Sequence, residues 1–175
     1  MREWMTAVLE AHPRRHGDPA IVEWIEAAYA RPDADRLYLH GSDHRFERFA
    51  DPNTDYGHLI HFTKLTGENW HRGSPLQAEY YGAILYLVTI HARKPFRPLN
   101  DPDAKAILAE TLHGAWNYED KVRWGCFDYQ DQYRVIPTAV AAGYDLFRVH
   151  ECSVGGDSIG ITSGGMVTIV DRYPG

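Results

Sequence analysis

Between Arg36 and Phe96 the chain strings together residue types that suit one small planar ligand. The stretch reads RLYLHGSDHRFERF, then GHLIHFTK, SPLQAEYYG and AILYLVTIHARKPF. His40 follows the apolar triplet Leu37-Tyr38-Leu39 and precedes Gly41 and Ser42. An imidazole at a strand end can lean over a pocket, and a neighbouring glycine lets a ligand approach the backbone. His61 lies in a second apolar segment, where an imidazole can stack and also ionises near neutral pH. Tyr80 and Tyr81 stand side by side in SPLQAEYYG, and an aromatic face suits a cationic ring. Glu151 and Asp157 are carboxylates close to the expected late strands.

The elements that must carry these groups can be read from hydrophobic period and punctuation. Residues 2–12 and 19–30 are predicted helices, the second opened by Asp18 as N-cap and Pro19 at its first position. Ile21, Val22, Ile25, Ala28 and Tyr29 form its apolar stripe. Leu37–Leu39 and His58–Thr63 are predicted strands, a helix runs from Ser74-Pro75 to about Tyr81, and Ile84–Ala92 is the strongest strand. Asp101-Pro102 opens a helix to about Trp116, residues 117–129 have no clear period, and about Asp131–Ala142 is helical up to Gly143. Leu146–His150 is a strand, and Ser158–Thr162 with Met166–Val170 is a predicted hairpin about Ser163-Gly164-Gly165. The pattern predicts an α+β fold in one domain, 1–175. A two-helix N-terminal extension, 1–34, packs on a core of 36–175, because its stripes are too small to fold alone.

Composition narrows the functional classes. The 175 residues are 44% hydrophobic, as in a soluble globular domain. There is no apolar run of about 18 residues to span a membrane, and the N-terminal MREWMTAVLEAH has no signal-peptide core. Cys126 and Cys152 are the only cysteines, expected as free thiols in a reducing cytoplasm, with Cys126 a buried structural one. A net charge of −6 without a basic block argues against broad electrostatic binding to nucleic acid. No metal is expected: His58 and His61 lie three apart on a strand, where they face opposite sides, and neither HExxH nor CxxC occurs. The glycine pairs 155–156 and 164–165 lack the Lys-Ser/Thr of a phosphate loop. Trp116, Tyr118, Trp124, Phe127, Tyr129 and Tyr133 are expected in core and lid packing, with a possible share in an acceptor site.

The order Tyr38-Leu39-His40-Gly41-Ser42, Phe46 and Phe49, Gly57-His58-Leu59-Ile60-His61-Phe62-Thr63, Ala78-Glu79-Tyr80-Tyr81-Gly82, then Leu85-Tyr86-Leu87-Val88 and Lys94-Pro95-Phe96 resembles the ADP-ribosyltransferase superfamily. The likeness is to its His-Tyr-Glu branch, shared by diphtheria-type toxins, poly-ADP-ribose polymerases and small phage and bacterial transferase domains. Gly143-Tyr144-Asp145-Leu146-Phe147-Arg148-Val149 and Met166-Val167-Thr168-Ile169-Val170-Asp171 extend it to the C-terminus. The resemblance covers about residues 36–175 and rests on the order of six motifs.

What the resemblance implies is split sheets of short strands with flanking helices and NAD, as substrate, between them. His40 would bind the ribose hydroxyls, Gly41 and Ser42 would continue that binding strand, and the Gly41 backbone would hold the nicotinamide carboxamide. Tyr81, or Tyr80 one residue earlier, would stack on the nicotinamide ring. The expected activity is transfer of ADP-ribose to a macromolecular acceptor in the manner of a toxin or effector. His61 stands where the family usually has tyrosine, as in RNA 2′-phosphotransferase relatives. The last strand lacks the family glutamate: Gly165 or Met166 falls near its place, so Asp157 or Glu151 would have to serve. Two alternatives follow from the missing acid and the acidic charge: an inactive nucleotide- or protein-binding module, and a small interaction protein such as an antitoxin or inhibitor.

Overall fold

The computed structural model describes residues 19–66, 82–115, 118–151 and 156–174. Helix α1, Pro19–Tyr29, leads into strand β1, Leu37–Ser42. A long loop and a short turn at Thr54–Tyr56 precede β2, Ile60–Lys64. Strand β3, Ile84–Ile90, is followed by α2, Pro102–Leu112, α3, Tyr118–Trp124, and the two-residue β4, Phe127–Asp128. Then come α4, Gln132–Ala141, β5, Leu146–Glu151, β6, Gly156–Ile161, and β7, Val167–Tyr173. The start signals read in the sequence hold at α2, where the Asp101 carboxylate accepts from the amides of Asp103 and Ala104. The segment 117–129, which has no clear sequence period, contains α3 and β4.

The strands form one seven-stranded sheet in the order β4-β5-β6-β2-β1-β3-β7. Every described neighbour is antiparallel except β4–β5. β1 and β3 pair along all six residues of β1, from Leu37↔Thr89 to Ser42↔Ile84. β1 and β2, by contrast, pair at Tyr38↔Lys64 and Leu39↔Thr63, and Leu65 N donates to the Leu37 carbonyl at 2.9 Å. The described strands thus make one sheet of an α+β fold where split sheets were expected, with β1-β3-β7 and β4-β5-β6-β2 joined at a short seam.

Two further expectations are corrected. His40 lies within β1, because Gly41 and Ser42 continue the ladder against Leu85 and Ile84. β6 and β7 do not form a hairpin: β6 pairs with β5 and β2, and β7 pairs with β3. The Ser163-Gly164-Gly165 run is a packing site instead. A Cβ on Gly164 would lie 2.1 Å from the Phe49 carbonyl oxygen, and Asp51 accepts from Ser163 Oγ at 2.7 Å and from Gly164 N at 2.8 Å. The chain therefore pauses against the β1–β2 loop and crosses to the far edge of the sheet. The expected helices at 2–12 and 74–81 lie outside the described residues.

Strand alternation assigns the two faces. Leu37 and Leu39 of β1 and Leu85 and Leu87 of β3 point to one face and bury Ile21, Ile25 and Ala28 of α1. On the same face of the other half, Phe147 and Val149 of β5 meet Ile107, Leu108, Val135 and Ile136 of α2 and α4. The opposite face closes on Phe49, Phe62, Tyr86, Val88 and Ile161, with Leu146 from β5 and Ile169 from β7 packed against them. Strands from both ends of the order share that cluster, so the sheet is strongly curled.

A polar staple closes the curl. Pro95 bridges Leu146 in parallel, and Phe96 N donates to the Leu146 carbonyl at 2.8 Å. The Asp145 carboxylate accepts from Arg93 N and Lys94 N at 2.8 and 3.0 Å. Lys94 Nζ sits 4.0 Å above the buried Tyr144 ring, and Tyr144 Oη donates to Asp101 at 2.6 Å. That bond holds the Asp101 carboxyl below the usual carboxylate range, while burial first and then Asp101 push the Tyr144 hydroxyl up to about 12.

Ile25 is 2% exposed between α1 and the sheet, so Ile25→Ala is expected to cost about 2–5 kcal/mol in urea unfolding. Deleting residues 1–30 should lower the melting temperature markedly, since it uncovers Leu37, Leu39 and Leu85. An unchanged melting temperature would show that the helical extension does not support the core.

Candidate functional site

The seam between β1 and β2 ends where His40 begins. Beyond Leu39↔Thr63 the ladder stops, and His40 Nδ1 lies 2.8 Å from the main-chain oxygen of His61. A carbonyl can only accept, so Nδ1 carries the proton and, in the neutral ring, Nε2 bears the lone pair. An imidazole therefore spans the gap where a backbone pair would otherwise continue. Its ring centroid lies 5.0 Å from that of Phe49, 5.2 Å from Phe62 and 6.5 Å from Tyr86. Burial in this setting pushes the His40 pKa below its ordinary value, and the opposing pull of the His61 carbonyl does not offset it. His40 is consequently a neutral imidazole with a fixed tautomer at neutral pH.

The loop after β1 walls this site through Tyr86. The buried Tyr86 hydroxyl accepts from Phe46 N at 2.8 Å and donates to the His44 carbonyl at 3.2 Å. Phe46 stacks on the Tyr86 ring at 4.3 Å and 8°. Two anchors from β7 and its preceding turn hold the same loop: Asp51 at Ser163 and Gly164, and Glu47 with Arg172 at 2.8 Å. Gly41 is buried opposite Leu85. Ser42 accepts from His44 N at 3.1 Å and so shapes the turn out of β1. Gly82 presses on that turn: a Cβ there would fall 2.0 Å from the Ser42 carbonyl carbon.

His61 belongs to the other face. Thr63 pairs with Leu39, so His61 shares the side of Leu39 and His40 the opposite one. The structure joins the His40 ring to the His61 backbone but turns the two imidazoles apart. His61 Nδ1 lies 3.0 Å from the Oγ of buried Ser158, and its ring is 5.7 Å from Tyr129. The aromatic run continues from Tyr129 to Tyr133 at 6.3 Å and from Tyr133 to His58 at 5.9 Å. Tyr129 and Tyr133 are 42% and 44% exposed, whereas Phe127 is 1% exposed. Of this aromatic group, then, Phe127 is core, and the two tyrosines form a surface beside the seam.

Of the two carboxylate candidates, Glu151 is the last residue of β5 and pairs with Gly156. Asp157, on β6, pairs with His150 and is in strand phase with Ile159 and Ile161. Met166 packs against the apolar cluster of Phe49, Phe62 and Tyr86. Tyr80 and Tyr81 lie outside the described residues. Among the described residues no cluster of His, Cys, Asp and Glu can hold a metal ion, and no helix is long and apolar enough to cross a membrane. Phe62 and Tyr86 stand in the motifs quoted above but had no site role there, and neither had Ser158; only the strand register puts Phe62 and Tyr86 on the face of His40.

No family model matches the chain, and no curated protein matches it. Among solved structures, the crystal structure of an anti-CRISPR protein superimposes with a TM-score of 0.45 at 16% identity, covering 78% of this chain and 94% of that one. At that TM-score the likeness carries no assignment.

The buried state of His40 sets a pH dependence. Its folded pKa lies below the unfolded value of about 6.5, so the unfolded chain binds the extra proton in the interval between the two. Stability should therefore fall as pH drops below about 6.5 and continue to fall to the lowered folded value. His40→Gln should flatten this part of the profile, as read by thermal melts between pH 7.5 and 5.0. Parallel profiles for the two proteins would show that His40 is not buried neutral.

Proposed function

We propose that this chain binds NAD where β1 and β2 part and transfers its ADP-ribose to a macromolecular acceptor, in the manner of the ADP-ribosyltransferase superfamily it resembles. The observation that carries the reading is the His40–His61 bond at 2.8 Å. With Nδ1–H committed to a carbonyl, Nε2 is an acceptor suited to a ribose hydroxyl. The group is neutral, so it adds no positive charge near a sugar that becomes oxocarbenium-like as nicotinamide leaves. Gly41 and Ser42 continue the β1 edge along which backbone groups can hold a carboxamide with little reorganisation. The motifs that carry the resemblance also meet in space, since Lys94-Pro95-Phe96 and Gly143-Tyr144-Asp145 form the staple of the curled sheet.

In this reading the glycosidic bond breaks with its electron pair leaving on nicotinamide. The acceptor nucleophile attacks the ribose carbon and gives up its proton. Asp157 is the favoured carboxylate for orienting the ribose or activating the acceptor. It lies on a strand that pairs directly with β2, whereas Glu151 ends β5. Tyr81, or Tyr80, would supply the stacking face. A second reading, NAD binding without turnover, is favoured by Met166, an apolar residue where the family's acid is expected.

NAD is expected to raise the melting temperature of the wild type but not of His40→Ala, and the wild type should release nicotinamide. Asp157→Asn should cut that release by about 10²- to 10⁴-fold while keeping the NAD-induced thermal shift, the pattern of an interaction made in the transition state. Glu151→Gln should have the smaller effect. A thermal shift with no nicotinamide release would favour the binding module. Absence of any shift would reject NAD and leave the acidic interaction protein.

A further inference from the structure

Lys121 of α3 is only 8% exposed, yet it carries a charge. Its Nζ lies 3.0 Å from Asp128 Oδ2 and forms a closer ion pair with Asp131. Burial works against the ammonium ion, but the bonds to Asp131 and Asp128 outweigh it and hold its pKa above the ordinary lysine value. These two carboxylates bracket Tyr129, the first residue of the short turn Tyr129–Asp131. Tyr129 in turn meets the His61 ring at 5.7 Å, and His61 is fixed from the other side by Ser158.

We propose that Lys121 is a positioning residue for the cleft: by clamping Asp128 and Asp131 on either side of Tyr129, it sets the tyrosine ring against His61. This rests on the NAD reading of the seam between β1 and β2, where the His61 backbone meets His40. A buried lysine with two carboxylates is a poor choice for stability alone, because the ammonium and the Asp131 carboxylate lose most of their hydration, while Asp128 stays half-exposed. What it supplies is geometry. One ammonium with three donors ties α3 to both ends of a three-residue turn. Without it, Asp128 and Asp131 face each other as like charges and drive the turn apart. The step from Tyr129 to His61 then loses its fixed distance, on the face of the seam opposite His40 from which the acceptor would approach.

The test uses the full chain and NAD alone. In wild type, a nuclear Overhauser effect between the Tyr129 and His61 ring protons is expected. Lys121→Met should abolish it and lower kcat/KM for nicotinamide release on the order of 100-fold, the cost of misplacing a site group by about 1 Å. Lys121→Arg, whose fork can still bridge two carboxylates, should retain both signals, a rescue that lost side-chain volume alone does not predict. If Lys121→Met does not fold, the double variant Asp128→Asn with Asp131→Asn breaks the clamp from its other end and is read the same way. A retained Tyr129–His61 signal in the clamp-broken protein overturns the proposal, as does its loss with turnover unchanged. A wild type without turnover rejects the NAD reading instead; the ring signal then decides by itself whether Lys121 positions Tyr129.

Discussion

The pairs Tyr38↔Lys64 and Leu39↔Thr63, with Leu65 N donating to the Leu37 carbonyl, join the halves of this sheet, and the rest of the molecule depends on that seam ending at Leu39. Beyond Leu39↔Thr63 the next donor from β1 to β2 is the His40 imidazole, reaching the His61 carbonyl at 2.8 Å. One side chain thus satisfies a backbone acceptor that the interrupted ladder leaves behind, and the same bond fixes the imidazole's tautomer.

A seam that ends early needs support from elsewhere. It comes from the curl that brings β5 and β7 onto one apolar cluster and from the staple that closes it. Asp145 caps two amides of the segment after β3, and Lys94 and Tyr144 lock the joint from the outside. The Tyr144–Asp101 bond extends this hold to the start of α2. These are hydrogen bonds between charged and neutral partners, which are stronger than neutral ones, and they are made between segments some fifty residues apart.

The two faces of the seam have different characters. Toward Phe49, Phe62 and Tyr86 the surroundings are apolar and keep His40 uncharged. Toward α3 and α4 the surroundings are aromatic and polar, with His61, Ser158 and Tyr129 leading out to the exposed rings of Tyr133 and His58.

The local alphabet of this fold was open to reading without the structure. Asp101-Pro102 names a helix start because only the Asp carboxylate can reach the free amides beyond it. Ile84–Ile90 reads as a strand from its β-branched run, and Ile21, Ile25 and Ala28 read as one helix face. What tertiary structure alone decided was pairing. Period-two alternation shows that Ile159 and Ile161 share a face but does not choose their neighbour, so β6 joined β5 and β2 rather than β7. Residue type does not reveal that Ser163-Gly164-Gly165 serves a loop 112 residues away at Asp51. Nor does it place Tyr129 and Tyr133 at the surface and Phe127 beneath it. Helix caps and strand runs arise from neighbours in the chain, whose geometry the sequence by itself determines. Seam length, curl and the sorting of imidazoles to opposite faces arise from contacts between distant segments, which only the folded chain brings together.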